Sequence, residues 1–265
     1  MSGWEFIKMH GIGNDFVVVD ERGRESFPPA SARALCDRHT GIGADGVLVI
    51  GAARQPGAAA RMDVWNADGS AAEMCGNGIR CVALRLARSG PVDIETGAGV
   101  MRCNVLDDDT VEVDMGRAVI EGRIDATWEL EGHTVHATRV RTGNPHLVTF
   151  DSIEGALRQS IASALARHPT FPAGTNVELA RIEGEHVVLA VWVRGVGFTR
   201  ACGTGACATV AAACASSRLP YGHSIVVSLP GGDLVVTVPG PKEPVRLRGP
   251  AAQVFTGRVE VPDAG

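Results

Sequence analysis

One short pattern occurs twice, and it limits the architecture more than any other feature. Met74–Leu84 reads MCGNGIRCVAL and Ala201–Val210 reads ACGTGACATV. Each has a cysteine, two glycines one residue apart, and then a run with helical character. The leading cysteines, Cys75 and Cys202, are separated by nearly half of the 265 residues. A turn this unusual, met once in each half, predicts two similar α/β halves dividing near residues 116–120. Solenoid periods of roughly 20–50 residues are absent.

Local patterns supply the elements. Short β-branched runs bounded by Gly, Asp or Asn predict strands over 15–20, 46–50, 92–96, 100–106 and 110–115. The second half adds strands over 134–140, 146–150 and 187–193, a hairpin across the PGG turn near 230, and a strand or two over 252–261. Helices are expected over 31–37, 76–88 and 203–217. A fourth, over 152–167, has Leu157, Ile161 and Leu165 at four-residue steps and Asp151 and Ser152 as candidate N-caps.

Composition excludes several classes. The apolar fraction of 45% suits a chain that buries a core, and a net charge of -5 argues against a nucleic-acid partner. No apolar run approaches the roughly 18–20 residues that span a bilayer, so no membrane partner is expected. The opening MSGWEFIKMHGIGNDF lacks the pattern of a signal peptide, and a cytoplasmic protein is the expectation. Seven cysteines without a C-x-x-C pair fit neither a disulfide framework nor a zinc ribbon, and no metal is expected. Only Lys8 and Lys242 are lysines, which argues against a pyridoxal-phosphate Schiff base.

The doubled turn has a chemistry of its own. Glycine permits positive φ and close backbone approach. Amide groups at a helix N-terminus then cradle an anion, and the same field favours thiolate and lowers a cysteine pKa toward neutrality. Packing is the competing explanation for either cysteine alone. Equivalent placement in two halves favours function: one thiolate removes a proton from carbon and a thiol on the opposite side returns one, which inverts a stereocentre. Cys81, Cys207 and Cys214 read as core residues.

Across almost its whole length the chain resembles the diaminopimelate epimerases, cofactor-independent amino-acid racemases. The resemblance rests on KMHGIGNDFVVVD, CDRHTGIGADGVLVI, WNADGSAAEMCGNGIRC, ETGAG, GNPHLV, GTNVE, RGVGFTRACGTGACA and LPGGDL. It implies two pseudo-symmetric domains, each a curled, mostly antiparallel sheet around a central helix, with the active site in the cleft between them. The final strand returns to the first domain, so the domains are residues 1–117 plus 253–265 and residues 118–252. The implied reaction interconverts LL- and meso-2,6-diaminopimelate, in lysine and cell-wall precursor biosynthesis, without a cofactor. The implied partner is this small-molecule substrate, and a homodimer is implied as well.

By motif, the resemblance makes Cys75 and Cys202 the two acid/bases. Gly76, Asn77, Gly203 and Thr204 become donors to the reacting carboxylate, and Asn14, Asn66, Asn144 and Asn176 contact substrate. Arg194 pairs with the distal carboxylate, a task suited to a guanidinium fork. His146 is expected near the first cysteine. Asp15, Asp45 and Asp68 read as turn and loop-closing carboxylates, and His39 as structural. Outside the resemblance, Asn66 and Asn144 are ordinary turn asparagines and Arg194 is a solvated strand end.

One position departs. The family's Glu-Arg-Gly is Val193-Arg194-Gly195 here. Valine cannot accept a hydrogen bond or stabilise an ammonium, although its backbone carbonyl remains. The change leaves three readings: weaker proton transfer, a different amino-acid substrate, or an altered copy. A related racemase, and a thiol redox module using Cys75 and Cys202, are the alternatives to the diaminopimelate reading.

Overall fold

The repeated turn is matched by repeated topology in a computed structural model, which describes residues 2–261. The chain divides into one unit of Met1–Val113 with Gly249–Gly265 and a second of Asp114–Arg248.

In the first unit β1 (Ser2–Gly11) runs antiparallel to β2 (Asn14–Asp20). The short helix α1 (Ser31–Cys36) brings the chain back so that β3 (Gly46–Gly51) lies parallel to β2. β4 (Ala60–Asn66) is antiparallel to β3 and to the two-residue β5 (Ala71–Ala72). Helix α2 (Gly76–Leu86) leads to β6 (Gly90–Thr96), parallel to β4, then antiparallel β7 (Gly99–Val105) and β8 (Thr110–Arg117). The segment Ala252–Val261 is a single strand antiparallel to β1.

The second unit repeats this order. β9 (Val119–Leu130), β10 (His133–Thr142) and β11 (Asn144–Thr149) pair antiparallel in sequence. After α3 (Leu157–Ala166), β12 (Asn176–Glu183) lies parallel to β11. β13 (His186–Val193) and β14 (Gly197–Thr199) continue antiparallel. α4 (Gly203–Ala215) then precedes β15 (Ser224–Leu229), parallel to β13, with β16 (Gly232–Thr237) and β17 (Pro244–Pro250) antiparallel beyond it.

Side-chain alternation explains the cores. Val17, Val19, Val47 and Val49 share a cluster with Trp4, Phe6, Phe27 and Leu35. Leu48, on the opposite face of β3, meets α2 at Gly78. Both faces are covered, which is why these strands read as continuous apolar runs. In the second unit Trp128, Leu147, Ile161, Leu165, Phe171 and Val177 form the corresponding cluster.

Each sheet curls around one helix. α2 contacts β1 to β4, β6 and β7, whereas α4 contacts β9 to β12 and β16. Gly205 through Cys214 are all buried, Cys207 and Cys214 among them, as is Cys81 on α2. A helix enclosed by a sheet has no polar face, and its Ala, Gly, Cys and Thr side chains let the strands approach closely. The fold is thus mixed α/β, dominated by curled sheets with few helices. Among the described residues no helix is long and apolar enough to cross a membrane.

Two expectations need correction. The third helix starts at Leu157, with Ala156 as its uncapped N-cap, instead of at residue 152. Gly155 at φ 58° interrupts the backbone there, and the Asp151 carboxylate accepts the His136 amide at 2.7 Å instead of capping a helix. The sequence patterns also miss β1, β4, β5, β9, β12, β14 and β17. β1 and β9 carry Glu, Lys, Arg, Asp and Gly among their apolar residues, and pairing holds them as strands: β1 between β2 and the segment Ala252–Val261, and β9 in a hairpin with β10.

Candidate active site

Cys75 and Cys202 occupy the same place in their units: each is the N-cap residue of the enclosed helix. Their backbones match, with φ -137° and ψ 112° at Cys75 and φ -148° and ψ 104° at Cys202. Each Sγ accepts the amide N–H three residues on, from Gly78 at 3.3 Å and from Gly205 at 3.4 Å. An extended residue whose side chain accepts from the first helical turn is the usual N-cap arrangement, with sulfur in the role of a hydroxyl or carboxylate oxygen. The first-turn amides of Gly76, Asn77, Gly203 and Thr204 have no partner within their own helices.

None of the four glycines of these turns has a left-handed backbone, and at Gly78 and Gly205 the reason for glycine is space. A Cβ at Gly78 would stand 2.8 Å from Leu48 Cδ2. A Cβ at Gly205 would stand 2.9 Å from Glu178 Oε1 and 3.2 Å from Cys202 Sγ. Close approach is the property in use.

Around Cys75 the first unit builds a polar chain. Buried Asn77 donates through Nδ2 to Asn14 Oδ1 at 3.0 Å, and Asn14 Nδ2 donates to Asp45 Oδ2 at 2.7 Å. Cys75 Sγ lies 4.0 Å from the same Asn14 oxygen. Asp45 accepts from Arg38 at 2.7 Å, and Asp15 pairs with Arg38 and Lys8. Burial raises the Asp15 carboxyl, but the hydrogen bonds and charges of Arg38 and Lys8 outweigh it and hold it at about 2. Asp15 and Asp45 therefore anchor the loop carrying Asn14. Lys8 is committed to this cluster and to the Gly43 carbonyl.

Arg80, fully buried, is absent from the sequence reading. Its guanidinium donates to Gly76 O at 2.9 Å, Asn77 Oδ1 at 3.0 Å and Pro250 O at 3.2 Å. It thereby fixes which end of the Asn77 amide faces Asn14. The signal in the sequence is a charge in the buried first half of a helix, between Ile79 and Cys81. Asn66 does not join this chain: it is exposed, and its Nδ2 donates to Ser70 Oγ at 3.0 Å in the turn that closes on Asp68.

The Cys75 thiol corrects another expectation. Burial pushes it up, above the ordinary thiol range, and the Gly78 and Asn77 amides and the Arg80 charge only partly offset this. Removing a thiolate from water costs more than two amides and one cation return.

In the second unit Cys202 Sγ also lies 3.5 Å from Thr204 Oγ1, and Thr142 Oγ1 donates to Thr204 O at 3.1 Å. The Asn144 Oδ1 contacts His146 Nε2 at 2.9 Å, and His146 Nδ1 contacts Glu178 Oε1 at 2.7 Å. Buried Asn176 accepts the Arg194 amide through Oδ1 at 3.0 Å. Arg194 is exposed, and its Nη1 donates to Ala173 O at 3.1 Å. Val193 ends β13, and its carbonyl accepts the Val196 amide at 3.0 Å. Glu178 belongs to the GTNVE motif, but sequence reading assigns it nothing. Among the described residues no cluster of three or more His, Cys, Asp or Glu stands where it could hold a metal ion.

Comparison with known proteins agrees with these motifs. The family model described as "Diaminopimelate epimerase" matches residues 6–121 and 138–254. The chain is 42% identical to a diaminopimelate epimerase of Desulforudis audaxviator, over 96% of this chain and 98% of that one. It is 40% identical to one from a Synechocystis species, over 97% and 99%. Among solved structures it shares a fold with a hydroxyproline epimerase from Agrobacterium vitis, at a TM-score of 0.75 and 18% identity, covering 97% of this chain and 92% of that chain. With both cysteine turns and the intervening motifs in place over its full matched length, this chain belongs to the diaminopimelate epimerase family.

Proposed function

We propose that the protein interconverts LL- and meso-2,6-diaminopimelate by proton transfer at an α carbon, with Cys75 and Cys202 as the acid/base pair. The observation that carries this reading is the duplicated N-cap cysteine, each sulfur held by the amide of the third following residue. One cysteine as thiolate takes the α-proton and becomes a thiol, and the electron pair stays on carbon as a carbanion. The other cysteine, as thiol, delivers its proton to the opposite face and becomes the thiolate. Atoms and charge balance, and the two cysteines exchange states with each turnover.

Helix N-termini suit the carboxylate whose charge grows as the carbanion forms. Gly76, Asn77, Gly203 and Thr204 are read as its donors, Asn14, Asn66, Asn144 and Asn176 as substrate contacts, and Arg194 as partner of the distal carboxylate. The two compact units are read as the two domains of the enzyme. A cytoplasmic location, a homodimeric state and a place in lysine and cell-wall precursor biosynthesis go with this reading.

The test is incubation with LL-diaminopimelate in D₂O. Deuterium is expected at Cα of the inverted product, and Cys75→Ala and Cys202→Ala should each lower epimerisation by on the order of a thousandfold or more. Undiminished turnover in either variant is incompatible with the scheme. Exchange with a monocarboxylate amino acid, but none with diaminopimelate, moves the assignment to another racemase.

A further inference from the structure

Glu178 and His146 are both fully buried, at 0% and 1% exposure, and in contact at 2.7 Å. The other imidazole nitrogen, Nε2, faces Asn144 Oδ1 at 2.9 Å. A carbonyl oxygen only accepts, so this contact is a hydrogen bond only if Nε2 carries hydrogen. The remaining contact, between Nδ1 and Glu178 Oε1, then needs one shared proton, held by either partner. Two neutral groups and an ion pair both meet this condition, and both leave the pair without net charge.

Two further observations bear on the carboxyl group. Its second oxygen, Oε2, is buried and makes no hydrogen bond among the described residues. Burial pushes the Glu178 carboxyl up, against the lowering effects of the His146 charge and hydrogen bond and of the Leu147 backbone amide. An unpartnered oxygen at 0% exposure is a poor site for a full negative charge. The carboxyl also lies at the first turn of α4: Glu178 Oε1 and Cys202 Sγ both stand within 3.2 Å of the point where a side chain at Gly205 would begin.

We propose that Glu178 is a positioning residue: through His146 it fixes the hydrogen on Nε2, turns Asn144 Oδ1 inward, and leaves the Asn144 Nδ2 hydrogens to meet a substrate anion. Without Glu178, His146 is free to take the other tautomer. A bare Nε2 would then draw Asn144 Nδ2 inward, and the carbonyl oxygen would face the anion. Val193 offers no carboxylate in this unit, and the one beside Cys202 comes from β12. Identifying the anion as a diaminopimelate carboxylate rests on the reading above; the tautomer does not.

Nitrogen-15 NMR of the histidine-labelled full chain, with His146 assigned by comparison with His146→Gln, reads the tautomer directly and needs no turnover. Hydrogen on Nε2 from pH 6 to 9 is expected. A neutral His146 with its hydrogen on Nδ1 and a bare Nε2 overturns the proposal, even if the enzyme is fully active on diaminopimelate. Kinetics give the second reading. Glu178→Leu should raise KM for diaminopimelate about tenfold or more with a smaller effect on kcat. Glu178→Gln can donate its amide to Nδ1 and should recover most of that loss. A Gln variant no better than the Leu variant, or a Leu variant with unchanged KM, overturns it. If the wild-type protein does not act on diaminopimelate, the epimerase reading fails while the NMR result still decides this one.

Discussion

Cys75 shows how a helix N-terminus and burial compete at one sulfur. The Gly78 amide at 3.3 Å and the Arg80 charge favour thiolate, and enclosure in the unit opposes it. Burial wins, so the thiol's pKa is raised and the reactive thiolate gains population only as pH climbs above the ordinary thiol range. Alkylation of Cys75 by iodoacetamide in the ligand-free protein should therefore be slow at pH 7 and still rising at pH 9, followed by mass spectrometry of its peptide. A rate already at its plateau at pH 7 contradicts the assignment of burial as the dominant cause. The other residues that decide polarity here, Arg80 and Glu178, are buried ionisable groups on elements that sequence reads as apolar or unremarkable. Their partners are far away in the chain or set by the helix turn, and no local pattern announces them.

At the scale of elements, α2 and α4 are governed by proximity to the sheets that enclose them. Glycine in a helix costs up to about 1 kcal/mol relative to alanine, so Gly78→Ala should help on propensity alone. The new Cβ would stand 2.8 Å from Leu48 Cδ2, and Leu48 is fully buried. Overpacking a filled core costs about 1–3 kcal/mol, which is the larger effect. The variant is expected to lose about 1–2 kcal/mol by urea denaturation; any gain in stability would mean that Leu48 moves aside freely. The two central helices and their cysteine caps were legible in the sequence because glycine spacing and apolar composition are local signals. The start of α3 was not, because Gly155 and the His136–Asp151 contact decide it. The strand β1 was not legible either: one of its two partners lies at the opposite end of the chain.

For the whole molecule, the first unit is discontinuous in sequence. Its β1 is paired from Ser2 to His10 with the segment ending at Val261, and Arg80 donates to Pro250 O. Ending the chain at Arg248 removes that edge partner and one acceptor of a buried guanidinium. Hydrogen exchange should then show lost amide protection in β1 and α2, with β11 to β13 of the second unit much less affected; equal loss in both units would argue against their separate cores. The sequence by itself determined the duplication, the two cysteine turns and the family, because each is written in residues adjacent along the chain. Tertiary structure decided which polar groups surround each sulfur. Asn14 reaches Asn77 across 63 positions and His146 reaches Glu178 across 32. Such pairs exist only once folding has removed their water and brought the partners within hydrogen-bond reach.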